Sequence, residues 1–65
     1  MFKVGDKVKV TTNPKGTLWE KGVIYEIKEG KALINYGFKD LPVFDIRKPW
    51  KGFKELEPIN ENKRG

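Results

Sequence analysis

The sequence predicts an all-β domain: a small closed barrel of five short strands with one 3₁₀ turn. Three observations carry that expectation. Apolar residues alternate with polar ones in short runs, as in Val8-Lys9-Val10, the period-two pattern of a sheet with one buried face. Glycine and proline punctuate the chain between those runs, at Pro14, Gly16, Gly30, Gly37 and Pro49. No stretch has the apolar spacing of a helix of three turns. Several short, bent strands in so short a chain favour closure, because a closed barrel leaves no edge open to aggregation.

The elements follow in order. Val4, Val8 and Val10 mark a first strand over residues 6–12, with Lys7 and Lys9 on its wet face. Asn13-Pro14-Lys15-Gly16 reads as a turn, since proline fixes one dihedral and glycine permits positive φ. A second strand spans 22–28, where Ile24 and Ile27 break strict alternation as a bulge or sharp bend would. Glu29-Gly30 is a hairpin signal leading into a third strand over 31–36. Gly37 permits a kink before a shorter fourth strand over 39–44, and Asp45-Ile46-Arg47 fits one 3₁₀ turn. Pro49 and Gly52 frame a loop presenting Trp50. The last strand covers 56–59, where Pro58 argues for an edge. The core expected from this pattern is Val4, Val8, Val10, Ile24, Ile27, Ala32, Ile34, Leu41, Val43, Ile46 and Leu56, giving one domain over 1–59 and a flexible tail over 60–65.

Sixty-five residues allow one small core and marginal stability. There is no cysteine and no histidine, so the thiolate and imidazole ligand sets of zinc and iron are missing, and no cofactor is implied. Met1-Phe2-Lys3-Val4-Gly5-Asp6 carries charge from the outset and no long apolar run, which argues against a signal peptide or a membrane span. An intracellular location is expected, cytoplasmic or with the nucleoid or nucleus. Fourteen Lys and Arg against nine Asp and Glu leave a charge of +5, a balance that favours acidic partners. Twelve of those cations are lysines, many beside carboxylates as in Glu26-Ile27-Lys28-Glu29-Gly30-Lys31, which is equally the chemistry of a solvated surface.

Val4-Gly5-Asp6-Lys7-Val8, Trp19 ahead of Gly22-Val23-Ile24, Leu33-Ile34-Asn35-Tyr36-Gly37-Phe38 and Phe44-Asp45-Ile46-Arg47 together resemble the SH3-like small β-barrels of the Tudor and KOW group. The resemblance spans residues 2–47 and implies an SH3-like barrel. In Tudor domains aromatic residues cage a methylated lysine or arginine. That pattern sets Trp19, Tyr36 and Phe38 at three cage positions. It sets Thr12 where an aromatic is usual, and Lys39 or Asp40 at the polar position. A missing wall and a nearby lysine both weaken cation–π capture.

The candidate binding residues are Trp19, Tyr36, Phe38 and Trp50 with Lys21, Lys39, Arg47, Lys48 and Lys51. On one shared face they would suit single-stranded nucleic acid, with bases stacking on the rings and cations neutralising phosphates. Several have a structural alternative: Trp19 closing one end of the barrel, Tyr36 as a barrel residue whose hydroxyl reaches water, Trp50 as a lid on the core, and Arg47 as a salt bridge to Asp45 or Asp40. Phe38 is the better exposed candidate. The leading expectation is therefore a small basic module contacting nucleic acid. The alternatives are a protein- or peptide-binding Tudor-like module, or an accessory subunit of a larger complex. The oligomeric state is open.

An enzyme is not expected. The glycines are spaced as turn residues rather than as a phosphate loop, and no carboxylate pair carries a catalytic signature. Gly5-Asp6-Lys7-Val8-Lys9, Trp19 and Gly22-Val23-Ile24 also look like the plasmid-borne dihydrofolate reductases, barrels that build one active site from four subunits. Their Val–Gln–Ile–Tyr active-site segment has no counterpart here.

Overall fold

The computed structural model describes residues 2–59; the tail expected over 60–65 lies outside them. Five strands and one 3₁₀ turn follow in order: β1 (Lys7–Val10), β2 (Lys21–Lys28), β3 (Lys31–Asn35), β4 (Trp50–Gly52), η1 (Phe53–Glu55) and β5 (Leu56–Pro58). They form one antiparallel sheet in the order β4-β3-β2-β1-β5.

The first half of the sheet forms where the apolar pattern places it. Val8 and Val10 of β1 are buried while Lys7 is exposed. The β2–β3 hairpin closes with Lys28 opposite Lys31 across Glu29-Gly30. Both turn residues have positive φ, +52° and +78°, the combination a type I′ turn requires. The break in alternation on β2 is a bulge: Ile24 pairs with Ile34 and Glu26 with Leu33, which leaves Tyr25 as the extra residue.

The second half departs from expectation. Residues 39–44 form no strand. Phe38 and Leu41 meet in an isolated bridge around the Lys39-Asp40 turn, and Pro42 then removes an amide that a ladder would need. The fourth strand lies instead at Trp50–Gly52, so Trp50 stands in the sheet and not in a loop. The 3₁₀ turn forms at Phe53–Glu55 rather than over 45–47. At Asp45 the carboxylate Oδ1 accepts the Arg47 amide at 3.0 Å, a side-chain turn that competes with helical bonding.

The closed SH3-like barrel, and with it the Tudor or KOW resemblance, is therefore corrected to an open sheet. Its two terminal strands, β4 and β5, are three residues each and do not pair with one another. The strand that closure needed from residues 39–44 is absent, and β4 and β5 lie at opposite ends of the sheet although only Phe53–Glu55 separates them in the chain. Pro58 sits on a terminal strand, where its missing N–H is tolerated.

The core is Val8, Val10, Ile24, Ala32, Ile34 and Leu56, with Phe2, Ile27, Tyr36 and Phe53 packed against it. Four residues expected in it lie on the surface instead: Val4 (60% exposed), Leu41 (68%), Val43 (38%) and Ile46 (92%). Among the described residues three polar ones are buried: Asn35, Asp45 and Lys51.

Candidate functional site

The predicted ring surface does not assemble. The rings sort into three separate pairs with centroids 5.1–5.5 Å apart, Phe2–Phe53, Trp19–Tyr36 and Tyr25–Phe44. Among the described residues Phe38 and Trp50 pair with no other ring. Trp19 and Tyr36 meet edge to face, and Asn13 ties them together: its Nδ2 donates to the Trp19 carbonyl at 2.8 Å and to the Tyr36 hydroxyl at 3.0 Å. Burial raises the Tyr36 phenol above its ordinary value, against the Asn13 bond that lowers it. Trp50 lines a different hollow, of about 300 Å³, with Lys28, Glu29 and Lys31.

The predicted cations are scattered as well. Lys51 is interior, 2% exposed, with its Nζ 3.7 Å from Asp45 Oδ2 and 3.5 Å from Asn13 Oδ1. The Lys48 ammonium lies 3.4 Å from the Glu55 carboxylate, and Arg47 Nε lies 3.8 Å from Asp45 Oδ1. Lys21 and Tyr36 share a shallow depression of about 180 Å³. Of the nine residues, Trp19, Tyr36 and Lys51 are linked through Asn13, and Lys21 lies beside Tyr36. Phe38 and Trp50 pair with neither ring, and no aromatic cluster supports nucleic-acid binding. Among the described residues no three carboxylates are grouped to hold a metal ion, and no helix is long and apolar enough to cross a membrane.

What the fold does assemble is an apolar hollow of about 470 Å³ between the β2 bulge and the segment over 37–43. On one side stand Val4, Val23, Ile24 and Tyr25. The opposite side is Asn35, Gly37 and Lys39. The bulge makes Tyr25 available: the residue is 48% exposed and its ring is braced edge-on by Phe44 at 5.1 Å. Val4 is brought in by backbone bonds to β2, since the Gly5 amide donates to the Ile24 carbonyl at 2.9 Å and the Ile24 amide to the Asp6 carbonyl at 2.9 Å.

Asn35 shapes the opposite side. Its Oδ1 accepts the amides of Gly37 at 2.8 Å and Val43 at 2.9 Å, while its Nδ2 donates to the Phe38 carbonyl at 3.2 Å. One buried amide therefore folds the whole loop back on itself, helped by the Tyr36 amide donating to the Val43 carbonyl at 2.8 Å. Close packing requires glycine at 37, where a Cβ would sit 2.7 Å from Val43 Cγ2 and 2.8 Å from the Leu41 carbonyl oxygen. The loop held in this way carries Phe38, Leu41 and Val43 at the surface.

Tyr25 was not among the residues singled out from the sequence. The irregular alternation at Ile24–Ile27 is the signal that points to it, because a bulge re-aims the side chain it displaces. No protein-family model matches the chain, and neither curated proteins nor solved structures give a match.

Proposed function

We propose that this chain is a small protein-binding module that engages its partner through the apolar surface around the Tyr25 hollow. One observation carries the reading. Among the described residues, seven large apolar ones, Val4, Leu18, Tyr25, Phe38, Leu41, Val43 and Ile46, are between 38% and 92% exposed, while six hydrophobic residues are buried. Scattered exposed hydrophobics need no explanation, but two of the seven, Val4 and Tyr25, line a formed hollow, and apolar groups at such a hollow mark interaction surfaces. The loop carrying three of them is held by three hydrogen bonds to a buried asparagine, so the loop is pre-organised and loses little entropy on binding. Docking as an accessory subunit of a larger complex would use the same surface, and the open sheet with its short terminal strands supports that variant too.

The test is a selection of displayed random peptides on the native domain and on a variant carrying Val4→Ser and Tyr25→Ser. Both sites are exposed, so the variant keeps its core. The reading expects enriched peptides that bind the native domain and lose the variant. Failure to enrich any peptide, or enrichment of peptides that bind both forms equally, would overturn it.

A further inference from the structure

The Tyr25 hollow is lined mostly by hydrocarbon, and the one cationic group in its lining is Lys39. Of the groups facing it, Asn35 has already committed both ends of its amide to the loop. Apart from the Tyr25 phenol, Lys39 is the one ionisable group lining it. Lys39 is exposed and has no ion pair among the described residues. Lys9, Lys48 and Lys51 each lie within 3.8 Å of a carboxylate, of Glu20, Glu55 and Asp45 respectively, whereas Lys39 shares its unpaired state with other surface lysines and is set apart by its place at the hollow. Asp40 and Glu26 neighbour the site in sequence, but neither lines the hollow.

Building on the protein-binding reading, we propose that the occupant is an acidic segment of a partner protein. It seats one aliphatic side chain in the hollow and sets a carboxylate side chain against Lys39. An apolar wall beside an unpaired ammonium is complementary to an apolar group beside a carboxylate. The overall charge of +5 draws such a segment in and repels a basic one. The apolar contact supplies affinity. The charge supplies selectivity and salt dependence, because an exposed ion pair is worth about 1 kcal/mol or less, roughly fivefold in affinity.

Fluorescence anisotropy with three short capped peptides tests this. Each carries a central leucine, flanked by glutamates, glutamines or lysines. The glutamate peptide is expected to bind most tightly and the lysine peptide least. Lys39→Glu should weaken the glutamate peptide roughly fivefold and improve the lysine peptide. Added salt should narrow the difference. Equal binding of all three peptides, unchanged by Lys39→Glu but lost in Val4→Ser/Tyr25→Ser, would overturn the acidic ligand and leave protein binding standing. Absence of binding by the glutamate peptide would overturn the acidic ligand as well. The display selection above decides the wider reading independently.

Discussion

The Lys51 ammonium lies 3.7 Å from the Asp45 carboxylate with both residues in the interior, 2% and 7% exposed. The pair joins β4 to the turn that precedes it. Asn13 Oδ1, 3.5 Å from the same ammonium, extends the network to Tyr36 and Trp19. Every buried side-chain polar atom among the described residues has a partner, so the network is closed.

Removing one member of such a pair leaves the other charge buried without its counter-charge. Asp45→Ala is expected to cost about 3 kcal/mol, close to the whole stability of a domain this small. Lys51→Met should cost less, because Asp45 keeps the Arg47 amide. The double variant should be less damaged than the sum of the singles by about 2 kcal/mol, read from urea midpoints. Strict additivity would show that the two groups do not interact.

Acid should unfold the domain through Asp45 and Glu55. The Arg47 amide, ahead of the opposing effect of burial, holds the Asp45 carboxyl below its ordinary 3.8, and Lys51 adds to it. Burial pushes the Glu55 carboxyl up, but bonds from the Thr12 hydroxyl, the Gly52 amide and Lys48 together hold it below its ordinary 4.5. The unfolded chain therefore binds protons more readily. This contribution is fully present above those ordinary values and is lost as pH falls through the lower folded ones. Thermal melts down an acid series should show that loss, and Glu55→Gln should flatten it.

Gly22 and Gly37 should each reject alanine. A Cβ at Gly22 would stand 2.5 Å from Ile34 Cγ2 and 2.8 Å from the Asn35 carbonyl oxygen, and the backbone neighbour cannot yield cheaply. We expect a loss of about 1–3 kcal/mol for either substitution. Gly37→Ala should also raise amide exchange across 38–43, because that loop packs directly on it. Normal exchange there would contradict the account of how the loop is held.

At the hairpin, Glu29 holds φ at +52°, a conformation asparagine adopts more readily than glutamate. Glu29→Asn should stabilise the domain by about 0.5–1 kcal/mol without changing the β2–β3 register, measured by the midpoint of urea unfolding.

The sheet was legible where local rules and burial agree. Val8, Val10, Ile24, Ala32, Ile34 and Leu56 alternate as strand residues and are buried, Glu29-Gly30 demands a hairpin, and Ile24–Ile27 betrays a bulge. Legibility ends at Gly37. Leu41, Val43 and Ile46 are apolar and read as core residues, but hydrophobicity alone does not separate a buried residue from an exposed one. The reverse confusion hides β4. Trp50-Lys51-Gly52 reads as a solvated loop until Asp45 is known to neutralise Lys51, a contact set by tertiary folding. The site follows the same division: Lys39 was marked from the sequence, whereas Tyr25 becomes conspicuous only when the bulge and the loop enclose a hollow.

The most direct test of the binding account is an amide-resolved NMR titration of the native chain with the leucine–glutamate peptide. The account predicts saturable shifts clustered at Val4, Gly5, Val23–Tyr25, Gly37 and Lys39, absent in Val4→Ser/Tyr25→Ser. Shifts confined to the Trp50 hollow or to the Trp19–Tyr36 pair, or no shifts in a well-dispersed spectrum, would contradict it.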